Sequence, residues 1–235
     1  MSLTSFVYCE ICKVYKSSVF WVVIIAFTLL PTLGLVKYFG AADVSWGVYL
    51  ADVLGMFVSL LIIGFAFTTC WIFGREYTDK TISDLLVKPV PKLTIAMSKF
   101  IVIFLWNSLL TTIMLMVTLL LGAYMGLIGG TTTLLLHYFL LFMTISLLIM
   151  FVSTVSSFMA NVTKGYLAPI GLIFLIVVIV NVAPNVGLSA YVPWTIPGLL
   201  LSDGFLRPIS ILILTITGII GLVGTVAWWR FVEQK

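Results

Sequence analysis

Residues 74–99 read GREYTDKTISDLLVKPVPKLTIAMSK, and long apolar runs bound them on both sides. They hold five of the chain's twelve basic residues, three of its eight acidic ones and two of its eight prolines. Such a density of charge stays out of hydrocarbon, where one ionised side chain at a helix centre costs about 2.5–3.5 kcal/mol. The stretch is expected in water, between two membrane spans. The rest of the chain is read outward from it.

Composition agrees. The chain is 62% hydrophobic and only 9% charged, with a mean hydropathy of +1.26, whereas a soluble domain carries about 25% charged residues. Six runs are long enough to cross a hydrocarbon layer ~30 Å thick. They are Ser17–Tyr38, Gly47–Phe73, Ser98–Met125, Leu134–Ala160, Gly165–Val182 and Ile209–Trp229. The expected fold is an all-α integral membrane protein, one transmembrane domain over residues 1–235. Small residues such as Gly55, Ser59 and Gly64 recur in the spans, where they let helices approach closely in lipid.

Basic residues orient the spans. Lys13, Lys16, Arg75, Lys80, Lys88, Lys92, Lys99, Lys164, Arg230 and Lys235 fall on one side; Lys37 and Arg207 fall on the other. Ten against two places both termini and residues 74–99 in the cytoplasm. A net charge of +4 then reflects cytoplasmic loops, and no nucleic-acid partner is implied.

Residues 2–16 place Leu3, Phe6, Val7, Ile11 and Val14 at helical spacing, with Glu10, Lys13 and Lys16 off that face. This predicts an amphipathic helix lying in the membrane interface, with lipid as its partner. No small-residue cleavage site follows the first apolar run, so removal as a signal peptide is not expected. Residues 183–208 carry four prolines with Tyr191, Trp194 and Phe205. They are too apolar for a solvated loop and too broken for a span. Short re-entrant outer helices are the expected form; a surface loop in the aromatic belt is the alternative.

Chemistry of its own is scarce. The chain lacks GxxxxGK[ST], so no phosphate-cradling loop is present. Its single histidine, His137, and three cysteines, Cys9, Cys12 and Cys70, do not make a zinc set. No catalytic residue, metal or cofactor is expected on this chain. Asp52 and Lys37 lie at the outer ends of their spans, Lys99 opens span three, and the deep polar residues are neutral; Asn107, Thr111, Asn181 and Trp194 are candidates for a substrate path. Hydrogen bonding between helices is the competing role for the neutral polar groups.

Within residues 74–99, Thr81-x-x-Asp84 has the form of a helix-capping box, followed by Ile82, Leu85 and Leu86 at i, i+3 and i+4. Lys88 precedes Pro89, which stops a helix. The pattern predicts a short helix exposing an apolar face, suited to a groove in a soluble partner or to the lipid surface.

At this point the residues resemble a known family. Arg75-Glu76-Tyr77, Thr81-Ile82, Leu85-Leu86, Pro89-Val90 and Lys99 resemble the loop between spans two and three of type-2 ABC exporter permeases. The small bacitracin-export and lantibiotic-immunity permeases are the most similar in plan. Lys80 stands where the family pattern has glycine, and Pro91 where it has Ser or Thr. The resemblance implies an exporter subunit for an amphiphilic peptide, antibiotic or lipid-like compound. It also implies a partner ABC-type ATPase carrying the ATP and magnesium, and a second permease subunit. Thr81, Ile82, Asp84, Leu85, Leu86 and Pro89 would form the coupling helix. Arg75, Glu76 and Lys99 would form a cytoplasmic gate. An exposed Arg75–Glu76 surface pair is the alternative for Glu76. A stand-alone channel or carrier, or a non-transporting scaffold or sensor subunit, is the alternative for the chain.

Overall fold

The computed structural model describes residues 3–39, 44–82, 85 and 91–231. It is helical, with one isolated bridge between Ser45 and Ile128. Helix α1 spans Leu3–Tyr15 and α2 Ser18–Leu35, followed by a 3-10 turn at Val36–Tyr38. Then come α3, Trp46–Thr78, α4, Lys92–Tyr124, α5, Thr132–Val162, and α6, Leu167–Val182. A single-turn helix α7, Leu199–Ser202, precedes α8, Pro208–Phe231. Among the described residues six helices are long and apolar enough to cross a membrane, and each overlaps one of the six runs read from the sequence.

Serine and threonine start several of them. The Ser17 hydroxyl accepts from Val19 N at 3.2 Å, Ser45 from Val48 N at 3.4 Å and Thr131 from Leu134 N at 3.3 Å. Each satisfies a backbone donor that the first helical turn leaves unpaired.

The helices around the charged stretch are longer than expected. α3 and α4 each have 33 residues, about 50 Å at 1.5 Å per residue, so both run beyond the hydrocarbon. The expected end of span two at Phe73 moves to Thr78, and the expected start of span three at Ser98 moves to Lys92. The charged residues there remain helical because they pair with one another, as described below.

α3 is the spine of the bundle. It packs on α5 most extensively and also touches α2, α4 and α6, while α5 packs along α8. In lipid these contacts rest on close packing and hydrogen bonds. At Gly221 of α8 an added Cβ would lie 2.4 Å from the Thr154 carbonyl carbon of α5. The same pair is laced by Thr154 Oγ1 donating to Gly218 O at 3.0 Å and by a 2.7 Å bond between the Ser157 and Thr225 hydroxyls. Gly221→Leu is therefore expected to force α5 from α8 and cost about 1–3 kcal/mol, read as a lower Tm of the detergent-solubilised protein. An unchanged Tm would show that the two helices slide freely.

Residues 183–208 contain 3-10 turns at Ala183–Val186 and Ile196–Gly198 and the one turn of α7. The segment rests on α3 and α5, with Ile196 fully buried. The Thr195 hydroxyl donates to Ser189 O at 2.6 Å, and Ser210 of α8 donates to Ala190 O at 2.9 Å. Broken backbone is thus satisfied by protein groups, the condition under which it survives at membrane depth.

Candidate functional site

The site forms where α1 meets the ends of α3 and α4. Phe6, Glu10 and Val14 recur every fourth residue and make the buried stripe of α1, while Leu3 and Ile11 are exposed. This corrects the expected place of Glu10, which lies on the buried row with Phe6 and Val14 and not off the apolar face. α1 packs on α4, which brings Glu10 to Lys99.

Five charges converge there. Lys99 Nζ lies 3.0 Å from Glu10 Oε2 and 2.8 Å from Glu76 Oε1. Arg75 Nη2 reaches Glu10 Oε2 at 3.1 Å. Lys13 Nζ reaches Glu10 Oε1 at 2.8 Å and Glu76 Oε1 at 3.1 Å. Lys99 is 0% exposed, Glu76 2% and Glu10 3%, so the alternative of an exposed Arg75–Glu76 pair does not hold. Arg75 Nε is 4.0 Å from Glu76, farther than either lysine. The Arg75 guanidinium instead lies over the Trp71 ring, 4.6 Å from its centroid, a cation–π contact.

Two carboxylates share three cations, so each buried charge has a partner. Desolvation of this kind costs several kcal/mol per ion and is offset only by good geometry and additional hydrogen bonds. Lys99 Nζ also donates to Ile72 O at 3.3 Å. Burial alone would raise the Glu10 pKa, but the Lys99 and Lys13 ammoniums outweigh it and the net direction is down. Glu10 therefore contributes stability at and above the ordinary glutamate pKa of about 4.3, and loses it as pH falls through the depressed folded value. Acidification is expected to free α1, seen as faster hydrogen exchange over residues 3–15. Glu10→Gln should flatten that dependence, and an identical pH profile would remove Glu10 from the account.

The cluster reaches into the charged loop. Thr81 N donates to Glu76 O at 3.0 Å, and the Thr81 hydroxyl donates to Glu76 Oε2. Ile82 and Leu85 are 8% and 6% exposed and belong to the chain's main core. This corrects the expected exposed apolar face: these two side chains seat the loop against its own chain. Asp84, Leu86 and Pro89 lie outside the described residues. Lys80 has φ +56°, a left-handed backbone that glycine adopts most cheaply, at the position where the resembled loop pattern has glycine. Pro91 is the N-cap of α4 and supplies no side-chain cap, the service a Ser or Thr there would perform.

The substrate-path candidates are spread out. Asn107 and Thr111 are buried one turn apart on α4. Asn107 Oδ1 accepts from Thr68 of α3 at 2.8 Å, while its Nδ2 is buried without a partner. Thr111 donates to Asn107 O within its own helix. Asn181 is exposed on α6 and donates to Val177 O. Trp194 is half-buried and packs against core residues in the outer segment.

Glu10 and Lys13 were not among the expected site residues. Their signal is weak, because Glu10 is 89 positions from Lys99 and 66 from Glu76. One hint exists: Glu10 shares the i, i+4 row of Phe6 and Val14.

Fold and site together define a multi-pass membrane protein whose first helix is locked to two long spans by buried ion pairs. The chain belongs to the ABC-2 transporter family: the family described as ABC-2 family transporter protein matches residues 6–181, a range that includes Glu10, Arg75, Glu76 and Lys99. It is similar to the bacitracin transport permease protein BCRB of Bacillus licheniformis, with 25% identity over 181 residues, 74% of this chain and 87% of that protein. It is the permease type of ABC transporter subunit.

Proposed function

We propose that the chain is the membrane subunit of an ATP-driven exporter and that residues 74–99 receive motion from a separate ABC ATPase. The observation that carries this reading is the buried cluster. It joins the loop, through Thr81 and Glu76, to α3, α4 and α1. A displacement of the loop cannot be absorbed locally without separating buried charges, so it moves the three helices together. Thr81, Ile82, Asp84, Leu85, Leu86 and Pro89 act as the coupling element, and Arg75, Glu76 and Lys99 act as its anchor and inner gate. ATP and magnesium sit on the ATPase.

A second permease subunit completes the path, which runs past Asn107 and Thr111 toward Asn181 and Trp194. The unpartnered Asn107 Nδ2 supports a polar contact on that path. Amphiphilic peptides are the favoured cargo, by analogy with the relative named for bacitracin transport. Residues 183–208 re-enter the outer leaflet, and both termini are cytoplasmic. Co-expression with the ATPase should give one complex on purification; two separate species would overturn the reading.

Orientation has its own check. A cysteine at the exposed Thr133 should label from outside intact cells with an impermeant thiol reagent, and one at the exposed Asp79 should not. The reverse pattern would invert the topology.

A further inference from the structure

The end of α3 that carries Glu76 has a second face, turned away from the charges. Tyr77 follows Glu76 by one residue, a rotation of about 100° around the helix. Its hydroxyl donates to Asn161 Oδ1 of α5 at 3.1 Å. Trp229 of α8 donates through Nε1 to the same oxygen at 2.8 Å. Asn161 Nδ2 in turn donates to Ser157 O, one turn back on α5, at 2.6 Å. Asn161 and Trp229 are both 0% exposed.

The partners fix the orientation of the amide. An indole N–H only donates and a backbone carbonyl only accepts, so the oxygen faces Trp229 and the nitrogen faces Ser157. A carbonyl oxygen has two lone pairs, and here one serves α3 and the other α8. We propose that Asn161 is the positioning residue through which a displacement of the charged end of α3 reaches α8. Its use in transport rests on the reading that residues 74–99 receive motion from the ATPase; the tie itself does not.

Asn161 adds something that packing at this level lacks. Phe73 of α3 meets the Trp229 ring edge-on, with centroids 6.4 Å apart. An added Cβ at Gly74 would lie 2.7 Å from the Gly165 carbonyl carbon, in the turn after α5. Such contacts resist approach of the helices. The bonds of Asn161 resist separation as well, because parting them would leave the Trp229 N–H and the Asn161 oxygen buried without partners. One turn along both helices the Ser157 and Thr225 hydroxyls bond at 2.7 Å, so α5 and α8 respond as a pair.

A rival route exists. α4, which carries Lys99, also touches α8, and a disturbance could pass between them without Asn161. The two routes give opposite results when the Tyr77 hydroxyl is removed. Tyr77→Phe keeps the ring and leaves the bonds between α5 and α8 in place.

The test is hydrogen exchange over residues 225–231, read by mass spectrometry on the full chain alone in detergent. Lys99→Met loosens the charged end of α3 and should speed that exchange about fivefold, an effect the size of one intramolecular hydrogen bond. In the Tyr77→Phe background the same substitution should leave it almost unchanged. Trp229→Phe cuts the chain of bonds at its other end and should have the same effect, the two together no more than either. Slow exchange over residues 142–153 of α5 shows that a variant is folded; where Lys99→Met loses it, Glu10→Gln supplies a milder disturbance for the same comparison. In the co-purified complex, ATP should alter exchange over residues 3–15 and 225–231 in the unaltered chain, and over 3–15 alone in Tyr77→Phe. Failure of the complex to form, or of ATP to alter exchange anywhere, counts against the transport reading, while the chain alone still decides the role of Asn161. Equal acceleration of residues 225–231 with and without the Tyr77 hydroxyl, or none in either background, would overturn the proposal.

Discussion

Lys99→Met is expected to be the most damaging single substitution in the cluster. It leaves the Glu10 and Glu76 carboxylates buried with only Arg75 and the half-exposed Lys13 as cations. Removing one member of a buried ion set costs about 3–5 kcal/mol, because the remaining charge stays desolvated and under-paired. The readout is thermal unfolding in detergent, with proteolysis of α1 as a local report. Adding Glu76→Gln to Lys99→Met should recover part of the loss, since one stranded charge is removed. That non-additivity marks residues acting on one another directly. A Tm equal to that of the unaltered chain, or strictly additive losses, would mean the cluster is not a unit.

Leu85→Asp is expected to have the second-largest effect, at the loop. Leu85 is 6% exposed and part of the main core. Burying such a side chain contributes about 1.5–3 kcal/mol, and the aspartate adds a charge that burial would desolvate. The loop should leave its seat and become protease-sensitive, and the ATPase should no longer co-purify, while the spans remain inserted. Lys80→Ala, at an exposed position, should leave co-purification intact. A protected loop and full ATPase stoichiometry in Leu85→Asp would remove Leu85 from the coupling element.

The six spans were legible because each is a long apolar run, and hydropathy needs no partner to be read. Arg75, Glu76 and Lys99 were singled out through the resemblance of residues 74–99 to a family pattern, and the structure brings them together around Glu10. Their burial was not. Charge reads as exposure until its counter-charges are known, and Glu10 was set apart from the apolar row of Phe6 and Val14 that it shares. The same blindness shortened α3 and α4: residues after Phe73 and before Ser98 look like loop when their charges are taken singly. Ile82 and Leu85 were read as sharing a face and both are buried, but spacing alone does not say whether such a face meets its own chain, lipid or a partner. Lys80 shows the converse, since its left-handed backbone gives physical content to a difference from the family pattern.

The central claim is that residues 74–99 are where the ATPase drives this permease. The most direct measurement places a photo-crosslinking amino acid at the exposed Asp79, beside the cluster, and separately at the exposed Thr133 at the far end of α5. Both variants are irradiated as co-purified complexes. The account predicts an adduct of permease plus ATPase from Asp79 and none from Thr133. An ATPase adduct from Thr133, with none from Asp79, would contradict it.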